Sequence, residues 1–167
     1  FFVDPDQATL WRGAMACNAL KQLIGDANWG DLDYFILDTP PGTSDIHLTL
    51  VQTLPITGAV IVSTPQEVAL ADARKGIDMY QNDKVNVPIL GLVENMSYVQ
   101  CPDCGKHINV FGDSHVDEIA AKYQLPVLAK MPIDPELAKE ADAGMIEVFA
   151  GEYLDNAAQT VAKLLKK

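Results

Sequence analysis

Cys101 and Cys104 are the residues whose types and spacing point most directly to chemistry. They lie in the segment CPDCG at 101–105, where two residues separate the two thiols. A CxxC turn can aim both sulfurs in one direction, and the following Gly105 permits a tight backbone whose N–H groups point at sulfur. A closed zinc site or an iron–sulfur cluster needs four ligands. The pair therefore supplies half of such a site or serves another purpose.

Three interpretations of the pair stay open on the chemistry of the residues alone. The first is half of an iron–sulfur site, completed by a second copy of the chain across a two-fold axis. The second is half of a zinc site, with His107 or a partner's cysteines as further ligands. The third, a thioredoxin-type redox dithiol, is disfavoured because such pairs follow a strand at a helix N-terminus. Apolar residues show no periodicity over 96–112, which predicts a loop with room for a small hairpin.

A second motif joins an apolar run to an acidic residue at 36–45 (ILDTPPGTSD). A strand ending in Asp38 is the Walker B arrangement, whose carboxylate helps to hold Mg²⁺ on a bound nucleotide. Pro40 and Pro41 would stiffen the loop that follows, and the N–H of Gly42 would approach a γ-phosphate. A plain strand end followed by a Pro–Gly turn explains the motif equally well when it is taken alone.

Two further residues follow predicted strands. Asn95 has an amide suited to the edge of a nucleotide base, although a turn residue is the more common explanation of an Asn there. Strand ends at Asp38, Ser63 and Asn95 are predicted to share one edge of a parallel sheet. Pro132, after the last predicted strand, would close over the base, and a plain loop before a helix ranks slightly ahead of that interpretation.

The elements that must position these residues alternate along the chain, which is typical of βαβ units and an α/β fold with a parallel sheet. Predicted strands cover 34–38, 58–63, 89–93 and 127–129, and predicted helices cover 7–25, 44–53, 66–81, 113–123, 136–143 and 155–166. In the helix over 66–81 we expect Val68, Ala71, Ile77 and Tyr80 to face the core.

Composition narrows the class of function. The chain has 167 residues, is 49% hydrophobic and carries a net charge of −11. Such a charge disfavours binding of nucleic acid or of an anionic membrane, since both rely on basic side chains. No apolar run is long enough to span a bilayer, and no signal peptide is visible. An odd count of three cysteines favours a reducing cytoplasm over disulfide bonding.

Taken together and in order, seven motifs resemble those of the Mrp/ApbC-type iron–sulfur cluster carrier ATPases, which belong to the MinD/ParA-like group of P-loop NTPases. The motifs lie at 11–13 (WRG), 37–43 (LDTPPGT), 64–70 (TPQEVAL), 94–97 (ENMS), 101–105 (CPDCG), 111–112 (FG) and 131–134 (MPID). The resemblance covers nearly the whole chain.

The resemblance implies a homodimeric ATPase that holds a [4Fe–4S] cluster between its subunits and passes it to apo iron–sulfur proteins. It also implies roles for single residues. Cys101 and Cys104 would be the cluster ligands, and Asp38 would be the carboxylate associated with Mg²⁺. Gly42 would belong to a switch loop, and Asn95 and Pro132 would contact the adenine of ATP.

One part of the family pattern does not occur in these 167 residues. There is no Gly-x-x-x-x-Gly-Lys-[Ser/Thr] phosphate loop, which would cradle the β-phosphate. We therefore expect residues 1–167 to be a single partial NTPase domain with a CxxC loop at 96–112. We also expect the natural protein to be longer, and this chain alone to be inactive as an ATPase.

Two other functions compete with the cluster carrier. One is a non-enzymatic, zinc-bridged dimerisation module. The other is a MinD/ParA-like positioning ATPase, which would be expected to carry an amphipathic tail or a basic surface, and which ranks last because the net charge is acidic and the final predicted helix is short.

Overall fold

Residues 13–163 are described by the computed structural model of the protein, and they fall into two units. The N-terminal unit extends to Ile56 and the C-terminal unit begins at Thr57. Residues 7–12 of the first predicted helix and 164–166 of the last lie outside the described residues, as do Trp11 and Arg12. The expectation of a single domain over 1–167 stays a prediction.

The N-terminal unit contains two helices that pack against each other. Helix α1 spans Ala14–Gly25 and helix α2 spans Asp45–Thr53. At the start of α2, the backbone N–H of Ser44 donates to Nδ1 of the buried His47 at 3.2 Å. This bond gives a partner to a backbone N–H that the start of a helix would otherwise leave unpaired. The predicted helix over 44–53 is confirmed.

The predicted strand over 34–38 is wrong. Residues 34–40 form no helix or strand, and the side chain of Ile36 is 86% exposed. A β-strand exists only where a neighbouring strand takes up its N–H and C=O groups. Among residues 13–56 the structure has no other strand to do so. An apolar run alone therefore did not suffice to make a strand here.

The C-terminal unit combines a parallel sheet with helices and a small hairpin. In chain order its elements are β1 (Ala59–Ser63), α3 (Glu67–Gln81), β2 (Ile89–Glu94), β3 (Val99–Gln100), β4 (His107–Ile108), α4 (Val116–Tyr123), β5 (Val127–Lys130), α5 (Pro135–Asp142), a 3₁₀ turn (Ile146–Val148) and α6 (Asp155–Ala162). The parallel sheet has three strands in the order β1-β2-β5, and the antiparallel hairpin β3–β4 follows the central strand β2. Three predicted strands and the predicted helices of this unit are confirmed, with ends that differ by at most three residues; the predicted end of the last helix, at 166, lies outside the described residues.

Both faces of the central strand are covered, which explains its continuous apolar run. Leu92 packs on one side with Leu70 of α3 and Ile119 of α4. Val93 packs on the other side with Ala157 of α6. Successive residues of a strand point to opposite faces, so both layers of the core depend on β2.

Helix α3 turns a face to the core that matches the predicted one only in part. Leu70, Ala73 and Ile77 are its buried residues, whereas Val68 is 80% exposed. Val68 precedes Leu70 by two positions, or about 200° around a helix, so the two side chains point in nearly opposite directions. The prediction is confirmed for Ile77 and for Tyr80, which packs against the core, and it is wrong for Val68. Among the described helices none is long and apolar enough to cross a membrane.

Candidate metal centre and nucleotide-facing residues

The two cysteines lie at the tip of the β3–β4 hairpin. Its strands pair Val99 with Ile108 and Gln100 with His107. The N–H of Cys101 then donates to the carbonyl of Lys106 at 2.9 Å, and the N–H of Gly105 donates to the carbonyl of Cys101 at 2.9 Å. The loop that carries the thiols is therefore closed by its own backbone, and the small hairpin proposed for 96–112 is confirmed.

Gly105 makes this tight loop possible. Its φ of +71° lies in the left-handed region that residues with a Cβ seldom adopt. The nearest atom to a Cβ at this position would be the side-chain nitrogen of Gln100 at 3.8 Å, so backbone conformation and not space requires glycine.

The thiols of the hairpin are available for ligation. All three cysteines are free, with Cys104 exposed and Cys101 half-buried. The backbone N–H of Cys104, followed by that of Asp103 and the side chain of Cys104, lowers the pKa of the Cys101 thiol below its ordinary value. Since the thiolate is the form that binds metal, the loop favours the ligand form of Cys101.

This lowered pKa predicts selective alkylation of Cys101. In the metal-free, reduced protein, the pH midpoint for its reaction with iodoacetamide should lie below the value of about 8.5 usual for a thiol. The thiolate is the form that reacts. When the pKa is lowered, much of the thiol is already ionised at a pH below the usual thiol pKa. Peptide mass spectrometry across a pH series measures the midpoint. A midpoint at or above the usual value would contradict the hydrogen-bonding role of the loop.

The described part of the chain offers no further ligand beside these two thiols. Within residues 13–163, no group of three or more His, Cys, Asp or Glu is arranged to hold a metal. The ring of His107 instead stacks on Tyr98, with centroids 3.9 Å apart and planes 18° from parallel. Zinc binding by His107 together with the two cysteines is therefore not supported.

Asn95 lies in a turn directly after β2. Its backbone N–H donates to the carbonyl of Ser63 at 2.7 Å, which confirms that β1 and β2 end at the same edge of the sheet. Its side-chain oxygen accepts the N–H of Met96 at 2.9 Å, which is the turn arrangement expected from sequence. The contact between Asn95 and adenine stays a prediction.

Pro132 lies beside the segment that carries Asn95. On one side of it, the N–H of Met131 donates to the carbonyl of Glu94 at 2.8 Å. On the other, the N–H of Ile133 donates to the carbonyl of Tyr98 at 2.7 Å. Pro132 is itself buried. The structure thus brings Asn95 and Pro132 onto adjoining segments, and the contact of Pro132 with a base stays a prediction.

Asp38 and Gly42 belong to the N-terminal unit, where both are exposed. Gly42 has a φ of +88° and so adopts the left-handed conformation that a sharp Pro-Pro-Gly turn requires. Asp38 ends a segment that is unpaired, which differs from the predicted strand end. Their roles toward Mg²⁺ and phosphate, and the placing of Asp38 on the sheet edge, stay predictions.

Sequence reasoning missed one residue of this region. Glu94 is the last residue of β2, and its side chain is completely buried. The signal was a charged residue directly after a run of buried apolar ones, with Ser97 three positions later. An exposed strand end gives the same signal, so the sequence did not single Glu94 out.

Comparison with known proteins agrees with this fold and indicates a family. The ParA family model described as NUBPL iron-transfer P-loop NTPase matches residues 1–167. The iron–sulfur cluster carrier protein of Escherichia coli K12 is 49% identical over 150 residues, covering 90% of this chain and 40% of that protein. The iron–sulfur cluster transfer protein NUBPL of mouse is 42% identical over 171 residues, covering 98% of this chain and 53% of that protein.

A solved structure supports the fold in the same way. The nucleotide-binding protein of Archaeoglobus fulgidus, in complex with ADP, is 39% identical and superimposes with a TM-score of 0.72. The match covers 82% of this chain and 56% of the Archaeoglobus chain.

The parallel α/β sheet, this neighbour and the matching family model define the class as a P-loop NTPase fold. The chain belongs to the NUBPL iron-transfer P-loop NTPase family. It spans between 40% and 56% of the length of the relatives named above.

Proposed function

We propose that this protein is an iron–sulfur cluster carrier. Two copies bind one [4Fe–4S] cluster through Cys101 and Cys104 of each, and deliver it to apo iron–sulfur proteins. The observation that carries this proposal is the half-site: two free thiols at a hairpin tip, without a third ligand in residues 13–163. The names of the bacterial and mouse relatives support cluster transfer as the task.

The hairpin is suited to meeting a second copy. Four thiolates complete a [4Fe–4S] site, and a two-fold axis through the cluster supplies them from two identical hairpins. The thiol of Cys104 is exposed, so a second hairpin can reach it without unfolding of the first. Ile108, the last residue of β4, and Val110, two residues further on, are about half exposed, and they offer apolar surface that pairing would bury.

A nucleotide site completes the proposal for the full-length protein. Asp38 would assist Mg²⁺, Gly42 would lie in the loop that senses the γ-phosphate, and Asn95 and Pro132 would contact the base. The ADP complex of the Archaeoglobus relative supports nucleotide binding in this fold. ATP binding and hydrolysis would then alter how firmly the paired hairpins hold the cluster. We place the carrier in the cytoplasm, where its working thiols stay reduced.

Metal analysis and molecular mass together test this function. The protein should be expressed from the complete reading frame that contains this chain, then reconstituted with iron and sulfide without oxygen. We expect equal iron and sulfide, one [4Fe–4S] cluster per two chains, and a mass that doubles on loading. Stoichiometric zinc without iron or sulfide in the freshly purified protein would contradict the proposal and favour the zinc-bridged dimerisation module. A cluster held by a single chain would contradict the shared site.

A further inference from the structure

Glu94 is a buried carboxylate that few groups stabilise. Its side chain is 0% exposed. One oxygen, Oε1, accepts a hydrogen bond from the hydroxyl of Ser97 at 3.0 Å. The other, Oε2, is buried without a hydrogen-bond partner. A buried charge is costly unless it is paired, so the groups that face this carboxylate should matter more than ordinary surface contacts.

Lys130, at the end of β5, provides the nearest opposite charge. Its Nζ lies 3.7 Å from Oε2 of Glu94, which is an ion pair beyond hydrogen-bond length. The same ammonium also donates to Asp117 of α4, a more exposed acid. Lys130 is therefore shared between an outer and an inner carboxylate, and Ser97 remains the side chain that hydrogen-bonds Glu94.

Ser97 lies in the segment that joins the sheet edge to the cysteine hairpin. Residues 95–98 run from Asn95, directly after β2, to Tyr98, directly before β3. Met96 in this segment has a φ of +56°, a strained conformation for a residue with a side chain. Such strain persists where surrounding bonds hold it. Here the bonds are the hydroxyl of Ser97 on Glu94 and the N–H of Ser97 on the carbonyl of Met131, at 2.8 Å.

We propose that Glu94 is a positioning residue of the carrier: its buried carboxylate, balanced by Lys130, holds Ser97 and so fixes the segment between Asn95 and the cysteine hairpin. This inference rests on the proposed function, in which Asn95 faces the nucleotide and the hairpin holds the cluster. Breaking the bond to Ser97 would leave both oxygens of a buried charge without a hydrogen-bond donor. While the bond is intact, it keeps the segment in register with the sheet. A shift at Asn95 is then passed through the segment to the cysteine hairpin.

Two variants test the role of Glu94, with a matched control. Ser97→Ala removes the hydroxyl that bonds the carboxylate. Glu94→Gln keeps an acceptor oxygen but removes the charge that strengthens the bond, so its effect should be smaller. Ser114→Ala is the control, because it removes another part-buried hydroxyl, which accepts the N–H of Val116 at the start of α4.

Hydrogen exchange and ATPase kinetics, measured on the full-length protein, provide the two readouts. In Ser97→Ala, the amides of Ser97 and Cys101 should exchange about tenfold faster, as loss of one charged hydrogen bond predicts. The KM for ATP should rise by a similar factor with kcat little changed. The reason is that loss of the fixed position of Asn95 weakens binding of ATP and of the transition state equally. For Glu94→Gln, the exchange rates and the KM should lie between those of the unchanged protein and those of Ser97→Ala. Ser114→Ala should alter neither the exchange rates nor the KM.

The outcomes separate this inference from the proposed function. Exchange and KM in Ser97→Ala equal to those in Ser114→Ala would overturn the positioning role. If the unchanged protein binds neither cluster nor ATP, the proposed function fails. In that case, faster amide exchange in metal-free Ser97→Ala would still support the positioning of the hairpin by Glu94. Unchanged amide exchange would overturn that role.

Discussion

Replacing Cys101 with serine should abolish cluster binding. A serine hydroxyl does not ionise near neutral pH and is a poor ligand for iron, whereas the loop of the native protein lowers the pKa of the Cys101 thiol. In a shared site each substitution counts twice, so two of four ligands are lost. We expect cluster absorbance, iron and sulfide after reconstitution to fall by more than about tenfold.

The fold of the hairpin should survive this change. Cys101 is tied to Lys106 and Gly105 through its backbone, and serine keeps both bonds. Cys17→Ser is the matched control, because Cys17 lies in α1 of the N-terminal unit and is half-buried, as Cys101 is. It should bind the full amount of cluster. Normal iron and sulfide in Cys101→Ser, or their loss in Cys17→Ser, would refute the assignment of ligands.

Replacing Gly91 with alanine should strongly destabilise the C-terminal unit. Gly91 lies in the central strand with a φ of +153°, where an added Cβ would come within 2.6 Å of the carbonyl oxygen of Pro126 and 2.7 Å of Cγ of Leu128. That carbonyl also accepts the N–H of Leu92 at 2.9 Å. Relief of the clash would therefore disturb the pairing of β2 with β5. We expect a loss of about 3 kcal/mol in the free energy of unfolding, measured by urea denaturation.

Gly76→Ala gives the opposite expectation and serves as the control. Gly76 lies in the interior of α3, and apart from the adjoining residues and the helix's own backbone no atom lies within 4 Å of a Cβ at that position. Alanine is the better helix former, so the free energy of unfolding should rise by about 0.5–1 kcal/mol. Equal unfolding midpoints for the two variants would show that the close approach at Gly91 is not what limits stability.

Periodicity predicted most of the α/β arrangement because it reports the direction of side chains along a single element. The runs at 58–63, 89–93 and 127–129 are rich in branched residues and become β1, β2 and β5. The run at 34–38 is also apolar up to Asp38 but does not become a strand. Composition describes what a strand would bury, and the strand itself depends on a hydrogen-bonding neighbour elsewhere in the chain.

The sequence by itself determined the thiol pair, its glycine and the family motifs, since residue type and short spacing are local properties. Only the tertiary structure decided what surrounds them. It placed the ring of His107 on Tyr98, left Cys101 and Cys104 without a third ligand in the described residues, and buried Glu94. The physical reason is that burial and ligand geometry depend on which distant segments pack together. The sequence letters at 94 and 107 are the same whether or not those segments meet.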